Sequence, residues 1–178
     1  MITGAPRAGL SLSGSKTTMT IKVGDTIPSM KLMMATADGP KEVSTDDIFK
    51  GKKVVLFAVP GAFTPTCSAR HLPGFVDNAE AIKAKGVDTI ACIAVNDAFV
   101  MGAWGKERGT DGKLLMLADG SANFAKAIGL EMDITARGMG VRSQRYALVA
   151  EDGKVTHLGI EAPGGFEVSS AEAILASL

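Results

Sequence analysis

Apolar positions along this chain gather into short runs separated by polar, glycine-rich stretches, and the period within the runs switches repeatedly. Lys53–Val59 places Val, Val, Leu, Phe, Ala and Val in succession between Gly51 and Pro60. A continuous apolar run of that length, bounded by turn residues, predicts a strand covered on both faces. Residues 87–95, containing "TIACIAV", predict a second such strand, and residues 114–118 a third. Between them the pattern takes the helical period. A helix is expected over residues 65–85: Pro65 suits a first turn, where an amide has no partner anyway, and Pro73 is expected to kink or divide it. Asn96-Asp97 caps another helix through about Arg108, with Phe99, Val100, Ala103 and Trp104 on one face. "SANFAKAIGL" is expected to start at a Ser121 cap and to end at Gly129. "STDDIF" at 44–49 reads as a short helical turn with Ser44 as cap and two acids behind it. Residues 145–150 and Lys154–Ile160 alternate around "EDGK", a hairpin signal with Asp-Gly at the turn. Ser169 to Glu172 matches a capping box that opens a last helix over residues 171–178.

The order is therefore β-α-β-α-β-α, a hairpin and a helix. That alternation argues for an α/β fold with a parallel-rich sheet covered by helices on both faces, the hairpin adding antiparallel strands. Sites in open α/β sheets form beyond the carboxyl ends of strands, and Cys67 lies just past one such end. With 178 residues, 46% hydrophobic and 21% charged, the chain is long enough for one domain with a sizeable core. Nineteen basic and nineteen acidic side chains cancel, so no net field favours nucleic acid or an anionic membrane. No apolar run approaches the roughly 18 residues of a spanning helix. Residues 1–20 differ: they are rich in Ser, Thr and Gly, with Arg7 and Lys16 and no acid. That composition fits a flexible extension ahead of a domain at 21–178, and it weakly resembles an organelle targeting segment.

Two cysteines make no disulfide framework for a domain of this size, which points to a reducing compartment and to thiols kept for chemistry. Cys67, His71, Cys92 and His157 lack the paired close spacing of zinc modules. The stretch that carries the chemistry is "AVPGAFTPTCSARHLPGF" at 58–75. A CxxC redox pair would place a cysteine at position 64, where Thr64 stands. Cys67 falls in the first turn of its expected helix, where unpaired amides and the helix dipole favour the thiolate, the nucleophilic form. Its neighbours are Pro, Thr, Ser and Arg rather than aliphatics, which argues against simple packing. Cys92 has the opposite setting, inward on a central strand, and is expected to pack as a small hydrophobe.

Pro60-x-x-x-Thr64-x-x-Cys67 resembles the active-site signature of the peroxiredoxins. The fuller string "VPGAFTPTCSARHLPGF" and the following "VNDAFVMGAWG" look like the type II, or peroxiredoxin-5, subgroup. "RSQRYALVAEDGKV" and "SSAEAIL" resemble its glutaredoxin-linked plant and bacterial members, and the similarity runs over residues 22–178. The resemblance implies a thioredoxin-like fold with a central mixed sheet flanked by helices, and a thiol-dependent peroxidase acting on hydrogen peroxide and organic hydroperoxides. Carried over residue by residue, Cys67 is the peroxidatic cysteine and Thr64 hydrogen-bonds its sulfur and the peroxide. Pro60 shapes the pocket, and Arg145 stabilises the thiolate and the departing oxygen. From spacing alone Arg145 is equally a surface ion-pair residue. His71, four residues after Cys67, either orients the pocket or caps local polar groups, and Arg142 reads as structural.

Oxidation leaves a sulfenic acid on Cys67 that a second thiol must reduce. Where some type II members carry a resolving cysteine, this chain has Val168 and Ser169, so the expected resolving thiol is external: glutathione with glutaredoxin, or thioredoxin. No cofactor or metal is expected, and no nucleic acid or membrane partner. The resemblance also implies a homodimer, with Trp104, Phe99 and Gly61–Phe63 as its face; periodicity alone makes Trp104 a core residue. Cytoplasmic residence is expected, or a mitochondrion or plastid if residues 1–20 are a transit peptide. The competing readings are a redox relay or chaperone-like protein working through mixed disulfides at Cys67, a general thiol–disulfide oxidoreductase, and a cysteine hydrolase using His71 or His157 as base.

Overall fold

The computed structural model describes residues 19–178; all but the last two residues of the expected N-terminal extension lie outside the described residues. The elements are β1 (Lys31–Thr36), β2 (Gly39–Ser44), α1 (Thr45–Phe49), β3 (Lys53–Val59), a π-helical turn (Cys67–His71), α2 (Leu72–Asp77), α3 (Ala79–Ala84), β4 (Thr89–Ala94) and α4 (Ala98–Arg108). There follow β5 (Leu115–Ala118), α5 (Asn123–Ala127), β6 (Glu131–Asp133), a 3₁₀ turn (Thr135–Arg137), β7 (Val141–Ser143), β8 (Tyr146–Glu151), β9 (Lys154–Ile160) and α6 (Ala171–Ser177). Seven strands form one mixed sheet in the order β2-β1-β5-β4-β3-β8-β9, and β6 pairs with β7 apart from it. β3, β4 and β5 run parallel; β1, β8 and β9 are antiparallel to their neighbours.

The apolar run of β3 is covered on both sides, as its lack of alternation requires. Val55, Phe57 and Val59 meet Leu72, Phe75, Ile82, Met101, Trp104 and Ile174 of α2, α3, α4 and α6. Val54, Leu56 and Ala58 face Ile48, Phe49, Phe124 and Ile128 of α1, α5 and the residue after it. Ser44 caps α1 in a reciprocal box with Asp47. The β8–β9 hairpin turns at Asp152 and Gly153, both at positive φ (49° and 78°), the backbone that Asp-Gly favours. Among the described residues no helix is long and apolar enough to cross a membrane.

Four local expectations are corrected. The helix after Cys67 is divided at Asn78 (φ −100°, ψ 7°) rather than at Pro73. Pro73 opens α2, and just before it the Leu72 amide reaches back to the Cys67 carbonyl, one residue farther than an α-helix would. On α4 the covered residues are Ala98, Met101, Trp104 and Gly105, while Phe99 and Ala103 face outward. Close approach to the sheet selects small residues there: a Cβ on Gly105 would lie 2.7 Å from Thr110 Oγ1 and 2.9 Å from Met116 Cγ. Ser121 does not cap α5; the Asp119 carboxylate accepts from the amides of Phe124 and Ala125 at 3.0 and 2.9 Å. Ser170, not Ser169, caps α6, its hydroxyl accepting from the Ala173 amide. The β1–β2 hairpin and the β6–β7 pair were not expected.

Candidate active site

β3 stops at Val59 because Pro60 has no amide to give to a ladder, and the chain crosses the sheet's end in the loop 60–66. Asn96, just after β4, holds that loop by accepting from the Ala62 amide at 2.9 Å. Gly61 has little room: a Cβ there would stand 3.2 Å from both Arg142 Nη1 and Thr64 Cγ2. Thr64 spans the turn, its carbonyl accepting from the Ser68 amide at 2.9 Å and its hydroxyl donating to the Gly61 carbonyl at 2.7 Å. Cys67 follows at the start of the π-helical turn, with no exposed surface. Ser68 beside it accepts from Trp104 Nε1 at 2.9 Å, which ties the turn to α4.

Arg145 reaches the same place from the other direction. β8 is antiparallel to β3, with Tyr146 opposite Ala58, so the residue before Tyr146 emerges beside the carboxyl end of β3. Its Nη2 donates to Cys67 Sγ at 3.2 Å and its Nη1 contacts His71 Nδ1 at 2.8 Å. Thus the structure brings Cys67, Arg145 and His71 together. Thr64 stands one turn before the sulfur, yet its proton is committed to Gly61. Pro60 is half-buried at the loop's start.

His71 is fully buried among aromatic rings: Phe57 of β3 at 4.9 Å, Phe75 of α2 at 5.6 Å and Phe166 edge-on at 5.0 Å, centroid to centroid. Burial, with the Arg145 charge adding to it, holds this imidazole neutral, its pKa lowered to about 3. Its Nε2 lies 2.8 Å from the Ser169 carbonyl. Phe166 also lies under Arg70 and Arg145, at 4.7 and 5.8 Å from ring centroid to guanidinium carbon.

Glu161, Phe166 and Ser169 were missed in the sequence. One carboxylate oxygen of Glu161 accepts from the Glu167 amide (2.7 Å), the Ser169 amide (2.8 Å) and the Ser169 hydroxyl (2.9 Å). Burial alone would raise this carboxyl; those donors outweigh it and hold it below the ordinary range. The only signal was an acid set in a Gly- and Pro-rich loop, "EAPGGFEVSS". Arg142 donates to the carbonyls of Met139 (2.8 Å) and Val95 (3.2 Å), a brace between two loops. Cys92 lies opposite Phe57 on β4, where burial foremost and Cys67 next push its thiol well up. Both cysteines are free.

A buried sulfur facing a fixed guanidinium suits nucleophilic attack on a small oxidant, with positive charge placed to receive a negatively charged leaving oxygen. The comparisons agree with that chemistry. The family model described as Redoxin matches residues 22–175. Peroxiredoxin-2E-2, chloroplastic, of Oryza sativa subsp. japonica is 52% identical over 164 residues, covering 89% of this chain and 73% of that protein. Peroxiredoxin-2C of the same organism is 50% identical, covering 89% and 98%. The crystal structure of reduced Prx3 from Vibrio vulnificus in complex with hydrogen peroxide superposes with a TM-score of 0.85 at 55% identity, covering 89% of this chain and 99% of that one. These matches span the β3 loop, the Cys67 turn and the strand that Arg145 precedes, and they make the chain a peroxiredoxin of the type II group, a thiol-dependent peroxidase with the thioredoxin-like fold.

Proposed function

We propose that Cys67 is the peroxidatic residue and that a thiol from outside the chain completes the cycle. The observation that carries this is the Arg145 Nη2 contact to Cys67 Sγ at 3.2 Å. The Cys67 thiolate attacks the terminal oxygen of a hydroperoxide, the O–O bond breaks, and the sulfur becomes a sulfenic acid. The other oxygen departs as alkoxide or hydroxide, facing Arg145, and takes its proton from solvent. Because the Thr64 proton goes to Gly61, the free lone pairs of its hydroxyl accept the proton of the attacked oxygen and so orient the peroxide. Pro60 keeps the loop clear of the β3 ladder. Hydrogen peroxide and organic hydroperoxides are the substrates, and the Vibrio relative captured with hydrogen peroxide supports the first.

The sulfenic acid condenses with an external thiol, releasing water, and a second thiol frees Cys67 from the mixed disulfide. Burial of Cys92 supports an external donor, glutathione with glutaredoxin or else thioredoxin, and no prosthetic group takes part. The test compares peroxide turnover with each reductant system and weighs the chain after peroxide treatment without thiols. One added oxygen is expected; a stoichiometric Cys67–Cys92 disulfide would overturn external resolution.

The enzyme works as a homodimer whose face uses Phe63 and Phe99, 50% and 76% exposed; Trp104 belongs to the core and takes no part. A monomer mass in sedimentation at micromolar concentration would contradict this. The domain is assigned to residues 21–178 and to the cytoplasm. The chloroplastic name of the rice relative favours the alternative, a plastid address in residues 1–20, and fluorescent fusions with and without that segment separate the two.

A further inference from the structure

Arginine side chains only donate hydrogen bonds. The 2.8 Å contact between Arg145 Nη1 and His71 Nδ1 therefore requires Nδ1 to accept, with no proton of its own. The ring proton must then sit on Nε2, which lies 2.8 Å from the Ser169 carbonyl, a group that only accepts. Both contacts demand the same neutral tautomer, and burial of the ring disfavours a second proton. Three aromatic rings fix the plane of the imidazole. The carbonyl that holds its far side belongs to a residue whose amide and hydroxyl are both bound by Glu161.

The consequence falls on Arg145. A guanidinium on a long stem has many rotamers, and ordering it is costly. Its two described hydrogen bonds are to the Cys67 sulfur and to His71. The first changes character when the sulfur is oxidised; only the second persists through the cycle.

We propose that His71 is a positioning residue: as the Nε2–H tautomer, held by the Glu161–Ser169 loop, it anchors Nη1 of Arg145 and so aims Nη2 at the sulfur of Cys67. This rests on Cys67 being the peroxidatic thiol. It joins the segment before α6, where this chain has no cysteine, to the reacting sulfur.

Asparagine places an amide atom near where Nδ1 stands, glutamine one near where Nε2 stands, and phenylalanine keeps the ring without either bond. His71→Asn retains the acceptor for Arg145; His71→Gln retains only the donor to Ser169. In single-turnover reaction with hydrogen peroxide, H71N is expected within about threefold of the wild type. H71Q and H71F are expected to lose about tenfold or more, the scale of one charge-assisted hydrogen bond. A pure packing role predicts H71F as the mildest change and H71N no better than H71Q, and either result overturns the proposal. A readout that needs no variant is the imidazole ¹⁵N spectrum of the reduced enzyme: an Nδ1–H or doubly protonated ring at neutral pH would also overturn it. Wild-type enzyme whose Cys67 fails to react with peroxide would instead defeat the peroxidatic assignment, so the two failures are distinguishable.

Discussion

Cys67 and Cys92 belong to one apolar cluster, and neither exposes any surface. What separates them is the second kind of neighbour. Cys67 has Arg145 Nη2 at 3.2 Å, and it stands at a helix start beyond the carboxyl end of β3, where loop 60–66 is only partly covered. Cys92 sits mid-strand, opposite Phe57 and Met116, with burial pushing its thiol up. A thiol that stays protonated and out of reach neither attacks peroxide nor resolves a sulfenic acid. Cys67→Ser is therefore expected to abolish peroxide turnover. Cys92→Ser should keep most of it, at a stability cost of roughly 1–3 kcal/mol for a hydroxyl placed in an apolar site. Equal losses in the two variants, measured as turnover per folded molecule, would mean that Cys92 takes part in the cycle.

At the scale of elements, what could be read in advance depended on whether local sequence or a distant partner decides the structure. β3, α1 and the β8–β9 hairpin announce themselves by unbroken apolar runs, a cap with its acids and an Asp-Gly turn, and each formed where those signals lie. β2 carries no such signal: "GPKEVS" is polar and contains a proline, and β2 is an edge strand paired only with β1. The covered face of α4 went to Met101 and Gly105 rather than Phe99 because helix–sheet distance, which no periodicity reports, favoured the glycine. Caps failed similarly. Ser121 and Ser169 have the right chemistry, but the Asp119 carboxylate takes the α5 amides, and the Ser169 hydroxyl is bound to Glu161, leaving Ser170 to cap α6. The site divides along the same line. Cys67, Thr64 and Pro60 are local to one motif, and Arg145 was found through resemblance. The partners of His71 lie 74 and 98 residues away, and nothing near His71 could have named them.

For the molecule as a whole, its buried ionisable groups set how stability depends on pH. The sign follows from which state binds more protons. His71 has a folded pKa of about 3 against an ordinary 6.5. Between those values the unfolded chain takes up a proton that the folded chain refuses, so acid favours unfolding. Glu161, held below its ordinary 4.5 in the fold, acts the same way at lower pH: unfolded, it is protonated first, and its stabilising contribution is lost as pH falls. Asp119 opposes them, because burial raises its folded pKa above 3.8 and the folded chain there binds the proton first. At the alkaline side Cys92 and Tyr146 are both raised by burial, from 9.0 and 10.0; the unfolded chain ionises first, and stability falls again as pH climbs past about 9. Stability is therefore expected to be highest between about pH 7 and 9 and to decline on both sides. In the acid window His71 alone contributes up to about 1.4 kcal/mol per pH unit, or about 1.7 kcal/mol from pH 6.5 to 5. Urea unfolding midpoints at a series of pH values measure this. His71→Phe should remove most of the slope between pH 6.5 and 5 while leaving the alkaline decline in place, and a wild-type midpoint that stays flat from pH 7 to 5 would contradict the buried neutral imidazole on which the slope depends.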